Sequence, residues 1–130
     1  MLKEKIQNDV LAYIKEEGFL PSITEDDDIV FKKEGILHYV SIADNESSPF
    51  YLSFSRGLNI GDNYDKQKAM LIANEVNNYK CIKTKLYDSG VVVVAAEMFL
   101  QDVEHFKAVF YRTMSVLNFA MNEFCDEYQK

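Results

Sequence analysis

The chain has no tryptophan, two prolines, five glycines and two cysteines in 130 residues. So little glycine and proline excludes collagen-like, low-complexity and linker-dominated sequences. Cys81 and Cys125 lie far apart with no Cys-x-x-Cys spacing, which argues against a disulfide framework or a zinc site. Both read as small hydrophobes in a reducing compartment. Long apolar runs are missing as well. The longest, 91–96, has the length of a strand and falls well short of the ~18 residues of a membrane span. Segment 1–9 is charged and amphipathic, without the apolar stretch of a secretory signal. A cytoplasmic protein with no membrane contact is therefore expected. Basic side chains are in deficit, 14 Lys and Arg against 21 Asp and Glu, for a net charge of −7. A nucleic-acid backbone requires clustered cations, so no nucleic-acid partner is expected.

What is present is a chain 48% hydrophobic, enough for one domain over 1–130 that closes its own core. Leu2, Ile6, Val10, Tyr13 and Ile14 recur at helical spacing, and Gly18 then Pro21 supply the stop. The run Glu25-Asp26-Asp27-Asp28 follows. It reads as a solvated lead-in to a strand rather than a metal site, since it lacks the alternate spacing and central glycine of a calcium loop. From residue 29 the period changes to two. A turn at Glu34-Gly35 pairs Lys33 with Ile36, Phe31 with His38 and Ile29 with Val40. A third strand places Phe50, Leu52 and Phe54 inward, after a polar connection at 44–49.

Residues 56–63 contain two glycines, two asparagines and an aspartate, and read as a loop. Asp62 or Asn63 is the expected N-cap of a helix whose buried stripe is Ala69, Ile72, Ala73 and Val76. Asn77-Asn78 closes it, with a left-handed residue expected there. A second hairpin turns on Asp88-Ser89-Gly90, pairing Leu86 with Val92 and Ile82 with Ala96. A long helix ends the chain, with Val103, Phe106, Phe110, Met114, Leu117, Met121, Phe124 and Tyr128 on one face. Val109, Val116 and Phe119 add a second apolar row beside the first. That sector is wider than one core contact needs, so either the monomer covers it from two sides or a second copy does, and a homodimer is expected. The fold class is α+β: an antiparallel sheet of about five strands with helices packed on it, in the order α-β-β-β-α-β-β-α.

In this element order the chain resembles the YbjN-like family of small bacterial proteins, labelled sensory transduction regulators, whose fold is similar to that of type III secretion chaperones. The hairpin at 29–40 and the segment Ala73-Asn74-Glu75-Val76-Asn77, similar to an Ala-Asn-x-hydrophobic-Asn signature, carry the resemblance. It implies an α+β sandwich, often dimeric, that binds protein and has no established catalytic residues.

The residues themselves offer little chemistry. His38 and His105 have no second ligand at metal spacing, and Cys125 has no local cationic cluster to activate it. No nucleophile elbow, phosphate-cradling loop or dinucleotide fingerprint occurs, so no enzyme, metal or cofactor is expected. Gly57 and Gly61 form a Gly-x-x-x-Gly in a polar stretch, where it has no membrane meaning. Asn74 and Asn77 share a helix face, placed to tie the helix to the loop at 56–61 or to present a polar patch to a ligand. Arg56, the one basic residue of 43–64, is expected to pair with Asp62 or Asp65, with anion binding as the alternative. Three functions are weighed. One is a non-enzymatic protein-binding module, chaperone-like or regulatory, using a sheet edge, or a groove beside the last helix where Val109, Val116 and Phe119 lie. Another is a ligand-binding sensor domain with a pocket between sheet and helices, and the weakest is an enzyme built from Arg56, Asn74, Asn77 and His38.

Overall fold

A computed structural model of the chain describes residues 2–43 and 49–130. The first helix, α1 (Leu2–Glu16), buries Ile6, Val10 and Ile14 and ends where Gly18 takes φ +98°. Glycine adopts that conformation without a Cβ penalty. Next comes β1 (Ser22–Ile23), a two-residue strand too short for any periodicity to announce. The acidic run is the turn from β1 into β2 (Ile29–Lys33). Its backbone and side chains are tied down: the Gln7 Nε2 donates to the Asp27 carbonyl at 2.8 Å, Lys3 pairs with Asp27 at 3.1 Å, and the Ser41 hydroxyl donates to Asp28 at 2.7 Å.

The β2 strand turns through Glu34 and Gly35, both at positive φ, into β3 (Ile36–Ile42) in the expected register. Two consecutive positive φ values give the turn the twist that the flanking strands need. The connection expected over 44–49 falls, apart from Pro49, outside the described residues.

The third long strand, β4 (Phe50–Asn59), runs four residues further than its side-chain pattern suggests. Residues 56–59 are strand, not loop. They pair with Val91 to Val94 of β6 (Val91–Leu100), Gly57 lying opposite Val93. The backbone ladder of a buried valine run overrides the local loop preference of Gly57 and Asn59.

Asp65, not Asp62 or Asn63, caps α2 (Lys66–Val76) by accepting from the Lys68 N–H at 3.1 Å. The C-cap Asn77 stays right-handed at φ −66°, and the positive φ falls instead on Cys81. After α2 come β5 (Ile82–Leu86), its hairpin to β6 in the expected register, and α3 (Val103–Tyr128), capped by Asp102.

The six strands form one antiparallel sheet in the order β1-β2-β3-β4-β6-β5, so both hairpins share it through the β4–β6 ladder. Phe31, Val40, Leu52, Phe54, Val92 and Val94 point to one face and are buried beneath α3 and its flanking helices. The chain is α+β in two layers, and the opposite face of the sheet carries Leu37, Tyr51 and Phe99 outward.

Candidate functional site

The core face contains one polar cluster. His38 is fully buried and Arg56, directly across the β3–β4 ladder, is 7% exposed. Arg56 does not pair with Asp62 or Asp65. Strand alternation, continuing past Phe54, turns it inward, where its Nη1 donates to Asn118 Oδ1 of α3 at 2.7 Å. Its Nε is buried and has no hydrogen-bond partner among the described residues. Burial lowers its pKa, though a guanidinium stays charged throughout the physiological range. His38 Nδ1 donates to the Ile36 carbonyl at 3.1 Å, the ring stacks on Phe31, and Nε2, buried beside Asn118, has no hydrogen-bond partner among the described residues. Burial pushes its pKa down, and the nearby Arg56 and Lys33 charges add to that. Cys125, near Arg56, is half-buried, and burial raises its thiol pKa against the pull of the guanidinium. His38 and Arg56 thus lie on the sheet beneath α3, and Cys125, on α3 itself, faces the guanidinium.

The two asparagines part company. Asn77 Oδ1 accepts the Thr84 backbone N–H at 2.6 Å, tying the end of α2 to the edge strand β5 rather than to residues 56–61. Asn74 is exposed and lines a cleft between α2 and α3. In the second apolar row, Val109 and Val116 are half-buried, Val116 packing against the core, while Phe119 is 60% exposed.

That cleft encloses about 720 Å³ and lies next to Phe119, which packs against the Tyr79 ring of its lining. Its α2 wall is Leu71, Ile72, Asn74, Glu75 and Val76, with Tyr79 at the end, and its α3 wall is Glu123 and Glu127. The Tyr79 ring meets Phe119 edge to face at 5.3 Å. Leu71 is 64% exposed, and Met70, in an adjoining depression along α2, is 54% exposed. Tyr79 has its pKa raised by desolvation first, and then by the nearby charges of Glu123 and Glu127.

Reading each helix for its core stripe passes over Met70 and Leu71 of α2, Tyr79 just after it, and Glu123 and Glu127 of α3. The signal was there: Met70-Leu71 beside Ala69 and Ile72 makes the helix apolar through more than one face.

Among the described residues, no group of three or more His, Cys, Asp and Glu is placed to hold a metal ion. No helix among them is long and apolar enough to cross a membrane. Compared with protein-family models, curated proteins and solved structures, the chain gives no significant match.

Proposed function

We propose that the chain is a non-enzymatic protein-binding module, chaperone-like or regulatory, which receives a segment of its partner in the α2–α3 cleft. One observation carries this reading: Leu71 and Tyr79 line the cleft, Met70 lines the depression that adjoins it along α2, and Phe119 packs against the Tyr79 ring, so that four large, exposed apolar side chains follow one another over this surface. Apolar surface concentrated in this way marks interaction sites more often than scattered exposure does. The sensor-domain alternative needs a roomy pocket between sheet and helices. Phe31, Phe54, Phe106 and Phe110 fill that layer at 2% exposure or less, which favours the protein-binding reading. The hairpin at 29–40, the Asn74–Asn77 spacing and the helix-flanked sheet support placing the chain among YbjN-like proteins, for which protein binding is the implied role.

Site-specific photo-crosslinking in extract of the native cell tests the reading. A photoreactive residue at Leu71 or Phe119 is expected to give the same discrete adduct, and one at the still more exposed Leu20 none. Adducts in equal yield from Leu20, or none from Leu71 and Phe119, would count against it.

A further inference from the structure

The walls of the cleft differ in chemistry, and the difference selects an occupant. Its floor and one rim are apolar, through Ile72, Val76, Leu71 and Tyr79. The charges on its lining are Glu75, Glu123 and Glu127, and no Lys or Arg lines it. Glu123 and Glu127 sit one helical turn apart on α3, about 5–6 Å between Cβ atoms, and repel each other. Glu127 is joined to Lys130 at 2.8 Å, an exposed pair of the kind that exchanges partners at little cost. Lys130 therefore offsets part of the charge of Glu127 and Glu123 from the end of α3, while among the described residues no Lys or Arg of the lining itself does so, and the cleft keeps a net negative charge. Two helices supply the walls, and the depression continues along α2 past Met70 and Gln67. A third helix laid along them satisfies ridge-and-groove packing.

We propose that the cleft binds a cationic amphipathic helix of another protein. Its apolar side rests on Leu71 and Tyr79 and reaches Phe119 beside the Tyr79 ring, and its Lys or Arg side chains meet Glu75, Glu123 and Glu127. This rests on the protein-binding reading and adds the partner's chemistry to it. A second copy of the chain fits poorly. A two-fold contact across the cleft sets one acidic lining, with Glu75, Glu123 and Glu127, against another of the same sign.

The test uses the whole chain and two labelled synthetic helices of about four turns, one Leu/Lys and one Leu/Glu in the same pattern, titrated by fluorescence anisotropy. The Leu/Lys helix is expected to bind and the Leu/Glu helix not. Raising NaCl from about 0.1 M to about 1 M, which shortens the screening length from about 10 Å to about 3 Å, should weaken binding. The E123Q/E127Q pair should cost about tenfold in Kd, and Leu71→Ser with Phe119→Ser a similar factor. The E4Q/E16Q pair on α1 removes the same net charge and should change Kd less than twofold. All substituted side chains are at least partly exposed, and circular dichroism melts verify that each variant folds. Equal losses from the cleft and α1 charge pairs would mean nonspecific attraction to an acidic protein and overturn the inference. Binding of the Leu/Glu helix that is lost with L71S/F119S would overturn the cationic partner while leaving the protein-binding reading intact. Failure of both helices, with self-association abolished by F119S, would assign the cleft to a second copy and overturn it as well.

Discussion

At the scale of single residues, His38 and Arg56 show how strand alternation can force polar groups into an apolar layer. Each follows the inward phase of its strand, and each keeps one good hydrogen bond, to the Ile36 carbonyl and to Asn118. The cost of burying a cation is lessened by leaving the neighbouring ring neutral. A dependence of stability on pH follows. In the unfolded chain the imidazole takes a proton near pH ~6.5, whereas in the folded chain burial, Arg56 and Lys33 hold its pKa lower. The groups facing it from β2, β4 and α3 are Lys33, Arg56 and Asn118, none of them a carboxylate. The stabilisation is therefore fully present above about pH 6.5 and declines as the pH falls below that value, until the folded-state pKa is passed. Thermal melts at about pH 7.5 and about pH 5.5 should show Tm lower at the acid value. His38→Gln should lower Tm at both but flatten the difference between them. An equally steep difference in the variant would place the titrating group elsewhere.

At the scale of elements, the parts that were legible are those where turn chemistry and alternation agree. Glu34-Gly35 and Asp88-Ser89-Gly90 set the registers of both hairpins, and the 3.6-residue spacing of α3 marked its whole length. The extension of β4 was not legible, because residues 56–59 have loop composition and become strand only when the valines of β6 lie beside them. The Asn77 contact was hidden for a similar reason. Its partner is fixed by how α2 lies on β5, which no spacing within the helix encodes. That bond has a defined job, since it occupies an amide of the sheet's outermost strand that no further strand pairs. Asn77→Ala should cost about 1 kcal/mol and speed Thr84 amide hydrogen exchange about fivefold relative to wild type. Asn77→Asp keeps an acceptor at the same place and should retain most of the protection. Unchanged exchange at Thr84 in Asn77→Ala would show that the bond does not hold the edge.

At the scale of the whole molecule, one side chain joins the elements that the sequence order separates. Phe110 of α3 lies 5.4 Å from the ring of Tyr13 in α1, 5.8 Å from Phe31 in β2 and 5.7 Å from Phe54 in β4, measured between centroids. Phe19, in the segment after α1, reaches the same ring at 6.1 Å. Phe110 is fully buried, so truncation loses both its transfer free energy and the packing of every ring around it. Phe110→Ala should therefore cost about 3–5 kcal/mol, against the roughly 5–15 kcal/mol that holds a domain of ordinary stability together. Because α1, the first hairpin and α3 all meet at this ring, the loss should fall on the domain as a unit. Urea unfolding followed by far-ultraviolet circular dichroism and by tyrosine fluorescence should shift to one common lower midpoint. Phe110→Leu fills most of the volume and should recover much of the loss, leaving a deficit of about 1–1.5 kcal/mol. A cost below about 1.5 kcal/mol for the alanine variant, or separate transitions for the two probes, would show that α1 and α3 are held to the sheet independently. The α2–α3 cleft lies on the same long helix. A variant that lost the packing of Phe110 should then also lose the wall bearing Glu123 and Glu127, and with it any binding there.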